Sequence, residues 1–179
     1  ESSHSASSFL GTSEIFKGIN GYLDNLAIGS KYNQQLATGA DFELEGEGTE
    51  ENPYQIRSEK DLLMFANQLN AGMYLDAYFR LEEDLDMAGL RYTAPAEFRG
   101  TLDGNGREIR NLTINMANAE NVGLIGLLNG GTVKNLGISG AVVNGKSRVG
   151  IIAGRTMYAR IQNCYAKGTV NGEWDCALI

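Results

Sequence analysis

The feature that most constrains this chain is a short motif that returns. "IRNLTI" at residues 109–114, "VKNLGI" at 133–138 and "IQNCYA" at 161–166 each carry Asn in the third place, as Asn111, Asn135 and Asn163. Wider similarity surrounds them. "NVGLIGLLNGGTVKNLGISGAVVNG" from Asn121 is followed by "RVGIIAGRTMYARIQNCYAKGTVNG" from Arg148, and "DCALI" opens a third copy. Val122, Val149 and Cys176 are evenly spaced, with the small residues Gly123, Gly150 and Ala177 just behind them. A fixed period of this order marks solenoids and propellers, where each unit buries its apolar face only against its neighbours.

Within one unit the aliphatic residues fall in short runs broken by glycine, and helical periodicity is absent. Short strands with glycine-marked turns at constant period predict a coil of parallel strands, about three to a coil. The usual rule for parallel crossovers makes it right-handed. The Asn marks a bend. Strand alternation puts Ile109, Asn111 and Thr113 on one face, yet the apolar residues are Ile109, Leu112 and Ile114, so the inward parity switches between 109 and 112. Asn tolerates the left-handed backbone that such a corner needs, and its amide both donates and accepts. Stacked at about 4.8 Å, Asn111, Asn135 and Asn163 are expected to form a hydrogen-bonded ladder.

Upstream, "FRLEEDLDMAG" reads as a looser first copy, with Leu81, Leu85 and Met87 as counterparts of Ile109, Leu112 and Ile114. Before it, "SEKDLLMFANQLNAG" predicts a helix: Ser58 and Asp61 resemble a capping box, Leu62, Phe65 and Leu69 form an apolar stripe, and Gly72 can end it. Such a helix is expected to cover the N-terminal end of the coil, since an open edge invites pairing with other chains. The expected fold is all-β, a right-handed parallel β-helix of about four coils with one N-terminal capping α-helix.

Composition narrows the function. The net charge of −7, from 22 acidic and 15 basic residues, argues against a nucleic-acid partner. No apolar run approaches the roughly 20 residues of a membrane-spanning helix. The one histidine, His4, sits in a Ser-rich start, which removes Ser-His-Asp and Cys-His catalysis and His-rich zinc sites. Cys164 and Cys176 read as small apolar fillers. No cofactor, metal site or catalytic residue is expected. "DGNG" at 103–106 reads as an Asn-Gly turn, because the later ligands of a calcium loop are missing.

Two groups of residues remain as candidates. Glu82, Glu83, Asp84 and Asp86 form an acidic cluster in which Asp84 and Asp86, with Asp103 a coil later, can be a carboxylate pair of a polysaccharide-cleaving enzyme or simply a solvated face. Tyr74, Tyr78, Tyr92, Tyr158, Tyr165 and Trp174 can stack on sugar rings or pack at ends and corners. Tyr165, Trp174 and Tyr158 are the ligand-binding candidates.

The series "GEGTEENPYQIRSEKDLLMFANQLN", "YFRLEEDLDMAG", "FRGTLDGNGREIRNLTI" and "GLIGLLNGGTVKNLGISGAVV", spanning about residues 42–179, resembles bacterial surface proteins with GLUG repeats. These are common among gut Bacteroidetes and occur in some IgA-specific metallopeptidases and large adhesins. "GLIG" at 123–126 fits the repeat and "GIIAG" from Gly150 departs from it slightly. The resemblance implies an extracellular β-helical stalk or adhesive module and carries over no catalytic residue. "SSFLGTSEIFKGINGYLDNLAIGSKYNQQL" is similar to the closing strands of a laminin-G or concanavalin-like lectin sandwich. The chain is thus divided into residues 1–40, part of such a sandwich or an extension, and residues 41–179, a β-helix that "DCALI" leaves partway into a unit. The expected function is a non-catalytic extracellular adhesion or structural module of a bacterial surface protein, with a glycan or host surface protein as partner. The alternatives are a polysaccharide-active β-helix enzyme and a subunit that self-associates through the solenoid ends.

Overall fold

Strands of two to eight residues, mostly separated by bends of two to four residues, wind the backbone into stacked coils. The computed structural model describes residues 44–177, so the lectin-like reading of residues 1–40 lies outside the described residues. The path begins with β1 (Tyr54–Ile56) and α1 (Glu59–Asn70). A first coil carries β2 (Tyr78–Leu81), β3 (Leu85–Asp86) and β4 (Glu97–Phe98). The second carries β5 (Thr101–Asp103), β6 (Glu108–Arg110), β7 (Thr113–Asn115), β8 (Glu120–Val122) and β9 (Ile125–Asn129). The third carries β10 (Thr132–Lys134), β11 (Gly137–Asn144), β12 (Ser147–Gly150) and β13 (Ala153–Met157). β14 (Arg160–Gln162), β15 (Tyr165–Asn171) and β16 (Trp174–Ala177) belong to the fourth.

The strand pairings are parallel and assemble four sheets along the coil axis: β1-β2-β5-β10-β14, β3-β6-β11-β15 with β7 also beside β11, β4-β9-β13, and β8-β12-β16. This is a parallel β-solenoid of about four turns with one helix, the architecture that the repeat predicts. The expectation of three strands per coil is too low. The second coil has five and the third four, because β11 runs through the place where β6 and β7 are separate. A bend that uses one left-handed residue leaves little trace in the pattern of apolar runs.

Register builds the core from columns. Leu102, Val133 and Ile161 align, as do Ile109 with Ile138 and Ala166, and Ile114 with Val143 and Val170. Val122, Val149 and Cys176 align as their spacing predicts. In the inner coils these side chains are fully buried. The motif similarity between residues 109–114 and 133–138, by contrast, joins two different places on the coil. Val133 lies over Leu102 in one sheet, and Ile109 lies over Leu85 in another. Leu81 pairs with Ile56, so it is not the counterpart of Ile109. Coil length varies because extra residues enter at corners, such as the Asp103–Gly106 turn. There Asn105 and Gly106 have φ 53° and 74° and Arg107 N donates to Gly104 O at 2.8 Å, the hairpin-type Asn-Gly turn that the sequence predicts.

The helix forms where its caps are. Ser58 Oγ accepts from Asp61 N at 3.3 Å and Asp61 Oδ2 accepts from Arg57 N at 2.9 Å, which satisfies two of the backbone N–H groups around the start. Leu62, Phe65, Ala66 and Leu69 are buried. The Phe65 ring meets Phe79 and Phe98 with centroids 4.8 and 5.6 Å apart, in edge-to-face geometry. Glu59 Oε1 accepts from Asp86 N, and Asn70 exchanges hydrogen bonds with Ala94 O and Ala96 N. Tied to the first coil at both ends, α1 covers that end of the apolar interior. Truncating Phe98, the fully buried ring between helix and coil, to Ala is expected to cost about 3–5 kcal/mol in urea unfolding. Val142→Ala, at a half-exposed site on β11, is expected to stay within about 0.5 kcal/mol of the parent.

Candidate functional site

The corners are built by left-handed residues. Asn111, Asn135 and Asn163 have φ of 56°, 54° and 54°, which is the bend that the parity switch requires. Asn163 Nδ2 donates to Asn135 Oδ1 at 3.2 Å, and Asn135 Nδ2 donates to Asp103 Oδ1 at 3.0 Å. Asn111 stands at another corner. Its Nδ2 donates to Asp86 Oδ1 at 2.8 Å, and the coil above it places Gly140, where a Cβ would come within 2.8 Å of Asn111 Oδ1. The three-membered ladder is therefore two columns, Asp103–Asn135–Asn163 and Asp86–Asn111, because different corners use the same chemistry.

Another asparagine column escaped the sequence reading. Asn115, Asn144 and Asn171 align in register, and Asn171 Nδ2 donates to Asn144 Oδ1 at 2.8 Å. Its trace is the ending shared by "TIN", "VVN" and "TVN". A further corner stacks Asn121, Arg148 and Asp175, with φ of 55°, 51° and 51°. Arg148 Nε donates to Asn121 Oδ1 at 2.7 Å, and its guanidinium pairs with Glu120.

Glu82, Asp84, Asp86 and Asp103 are each bonded within the coil. Glu82 pairs with Arg80 at 2.8 Å, and Asp84 accepts from Glu108 N at 3.0 Å and lies 3.6 Å from Arg110. The Asn111 amide and the Ala88 N–H hold the Asp86 carboxyl below its ordinary pKa. Burial pushes Asp103 up, but the Asn105 N–H, the Asn135 amide and the Lys134 ammonium 3.4 Å away outweigh it, and its pKa is lowered. A glycosidase acid must hold its proton near neutral pH, so its carboxyl is raised. Asp86 and Asp103 move the other way, toward the ionised form that the second carboxylate of such a pair keeps.

The three aromatic candidates lie in different parts of the coil circumference. Tyr165, 46% exposed, is on β15; its hydroxyl donates to Glu108 Oε1 at 2.8 Å and its ring covers Gly137, where a Cβ would come within 2.4 Å of the ring. Lys167 Nζ lies 5.7 Å from the ring centroid. The hydrogen bond to Glu108 raises the Tyr165 pKa. Trp174, 67% exposed, is on β16 beside Ser147 of the coil below. Tyr158, 92% exposed, is in the bend between β13 and β14 with φ 51°. No single platform contains all three. Tyr92 belongs to the core: it is buried, its hydroxyl donates to Leu124 O at 2.9 Å, and burial pushes its pKa well up. Tyr74 has φ 57° and packs edge-on against Tyr54 with centroids 4.9 Å apart, beside a cavity of about 200 Å³ lined by Leu44, Gly46, Tyr54, Gln68 and Tyr74. Tyr78 borders a smaller hollow with Glu50, Arg80, Asp103 and Lys134. Cys164 is half-buried and Cys176 exposed, both as free thiols.

Because the folded Asp103 has the lower pKa, its contribution to stability is present above the unfolded value near 4 and is lost as pH falls through the folded value. Asp103→Asn is therefore expected to lower stability at pH 7 by about 1 kcal/mol and to remove part of the acid sensitivity. Urea midpoints measured at neutral pH and near pH 3 check both statements.

No family model matches the chain. It is 35% identical over 139 residues to halomucin of Haloquadratum walsbyi, a stretch that covers 71% of this chain and 2% of halomucin. It is 31% identical over 134 residues to a candidate Gly-rich membrane protein of Evansella cellulosilytica, covering 66% of this chain and 15% of that protein. Among solved structures it is similar to a candidate immunoglobulin A1 protease from Bacteroides ovatus, with a TM-score of 0.55 and 26% identity over 72% of this chain and 40% of that one. The chain thus spans a small fraction of the length of the curated relatives it matches, and among the described residues no helix is long and apolar enough to cross a membrane.

Proposed function

We propose that this chain is a non-catalytic, extracellular adhesion or structural module of a surface protein, a β-helical stalk that presents a binding face to glycan. The observation that carries this reading is the division of labour on the coil surface. Asp84, Asp86 and Asp103 are bonded to backbone N–H groups or corner asparagines, while Tyr158 and Trp174 stand out toward solvent and Tyr165 is half-exposed. Carboxylates committed to corners build a scaffold, and projecting aromatics offer flat apolar faces with polar tips.

The relatives support a surface setting. One is named halomucin and another a Gly-rich membrane protein, and in both the matching stretch is a small part of a much longer chain. A solenoid suits such a place, because its length grows by repetition without any change in its cross-section. The GLUG-repeat reading draws on "GLIG" at 123–126, which spans the bend between β8 and β9.

The test places the 179-residue chain on a glycan and mucin array with lectin controls, and in parallel follows the release of reducing ends from the polysaccharides it retains. Saturable binding without turnover is expected, unchanged by Asp84→Asn. Turnover that Asp84→Asn abolishes would replace this reading with the polysaccharide-active enzyme, and silence on the array would remove the glycan from it.

A further inference from the structure

One corner of the coil runs along the molecule between the β4-β9-β13 sheet and the β1-β2-β5-β10-β14 sheet. The chain crosses it at Arg99 and Gly100 between β4 and β5, at Gly130 and Gly131 between β9 and β10, and at Tyr158 and Ala159 between β13 and β14. The segment entering β2, from Tyr74 to Ala77, occupies the same line one coil earlier. Successive crossings are bonded to each other: Gly100 N donates to Leu75 O at 2.8 Å, Thr101 N to Ala77 O at 3.1 Å, Thr132 N to Gly100 O at 2.9 Å, Gly130 N to Met157 O at 2.7 Å and Arg160 N to Gly131 O at 2.9 Å. Three steps at the strand spacing make a line of about 14 Å.

The first and last described steps of this line carry a tyrosine with left-handed backbone, Tyr74 at φ 57° and Tyr158 at φ 51°. Bulky residues rarely adopt that conformation, and where they do the strain points to a use beyond folding. Tyr158 shows the contrast directly. It lies one residue past the paired Asn129 and Met157, so it repeats the position of Gly130, which has φ 73°. The bend into the third coil is made with glycine and the bend into the fourth with an aromatic.

We infer that this corner line is a binding track for a linear polysaccharide, with the Tyr158 ring as the platform at one end and Tyr74 with its adjoining cavity at the other. The middle of the track is open and polar. A Cβ at Gly130 would meet nothing within 4 Å, and Arg99 is held in a bidentate pair with Asp76 at 2.9 and 3.0 Å. Glu97 lies 3.9 Å from the same guanidinium. Together these groups offer donors and acceptors to ring hydroxyls, as does the Gln68 amide in the wall of the cavity. A peptide strand would need free backbone groups to pair with. Here the amides of Gly100, Thr101, Gly130, Thr132 and Arg160 are already spent between coils. A chain of pyranose rings needs only spaced aromatic faces and side-chain hydrogen bonds.

This inference rests on the glycan-binding reading proposed above, and its test separates the two. The 179-residue chain is titrated calorimetrically with cello-, xylo- and galacturono-oligosaccharides, from disaccharide to hexasaccharide, beside Tyr158→Gly, Trp174→Ala and Val142→Ala. Affinity is expected to rise with oligomer length until the oligomer spans the line. Tyr158→Gly, which copies the residue of the coil below, is expected to weaken binding about tenfold or more and to move Tm by no more than about 4 °C. The control Val142→Ala, at a half-exposed site on β11, is expected to bind as the parent does. Binding that survives Tyr158→Gly and fails in Trp174→Ala would overturn the track and keep the glycan reading. A Tyr158→Gly chain that unfolds would make the tyrosine structural and overturn the track as well. No binding of any oligosaccharide by the parent chain would overturn both.

Discussion

Parallel register from one coil to the next is the constraint on which the rest of this structure depends. Each strand takes its backbone partners from the strand one turn away, so an inward residue must lie over an inward residue: Leu102, Val133 and Ile161 are one such column and Val122, Val149 and Cys176 another. The corners must then bend without breaking the stack. Left-handed residues do this within a single position, and an L-residue with a β-carbon is strained there unless something offsets the cost. Asparagine supplies the offset, because its amide can bond to the corner of the adjacent coil, as Asn163 does to Asn135 and Asn135 to Asp103. Arg148 achieves the same end with a guanidinium reaching Asn121.

What the sequence showed follows from where the coil length is constant. Between Val122 and Val149, and again between Val149 and Cys176, equal stretches of chain separate equivalent positions, and their spacing revealed the register directly. Between Asp103 and Ile109 the Asn-Gly turn inserts residues, and the alignment of Ile109 with Val133 followed similarity of corner chemistry in place of position. Asn111 and Asn135 share a backbone conformation and a motif but occupy different corners. The helix was legible because its signals are local: Ser58 caps it, Asp61 returns a hydrogen bond to Arg57, and Leu62, Phe65 and Leu69 share a face. The acidic cluster looked like a site because sequence shows charge without partners, and its partners, Asn111, the Glu108 N–H and Arg110, come from the next coil.

The aromatic residues were harder to place for the same reason. Which side of the solenoid a residue occupies depends on every corner insertion before it, so Tyr158, Tyr165 and Trp174, close in sequence, fall in a bend and in two different sheets. Once the register is known, a shared rule appears. Tyr165 lies over Gly137, Trp174 pairs with Ser147, and Tyr158 repeats the place of Gly130. Each of these three rings stands above a residue with little or no side chain.

In a solenoid that relation separates two roles. Scaffold positions repeat, because a column gains from like neighbours above and below, as the apolar and asparagine columns do. A large ring over a glycine or serine departs from its column. At Tyr165 the departure is explained within the protein, since the ring covers the Gly137 backbone and its hydroxyl bonds to Glu108. At Tyr158 a residue with a β-carbon makes, at φ 51°, the bend that Gly130 makes one coil earlier at φ 73°. Of the three departures it is the one that carries backbone strain, and the one that the column below it does not explain.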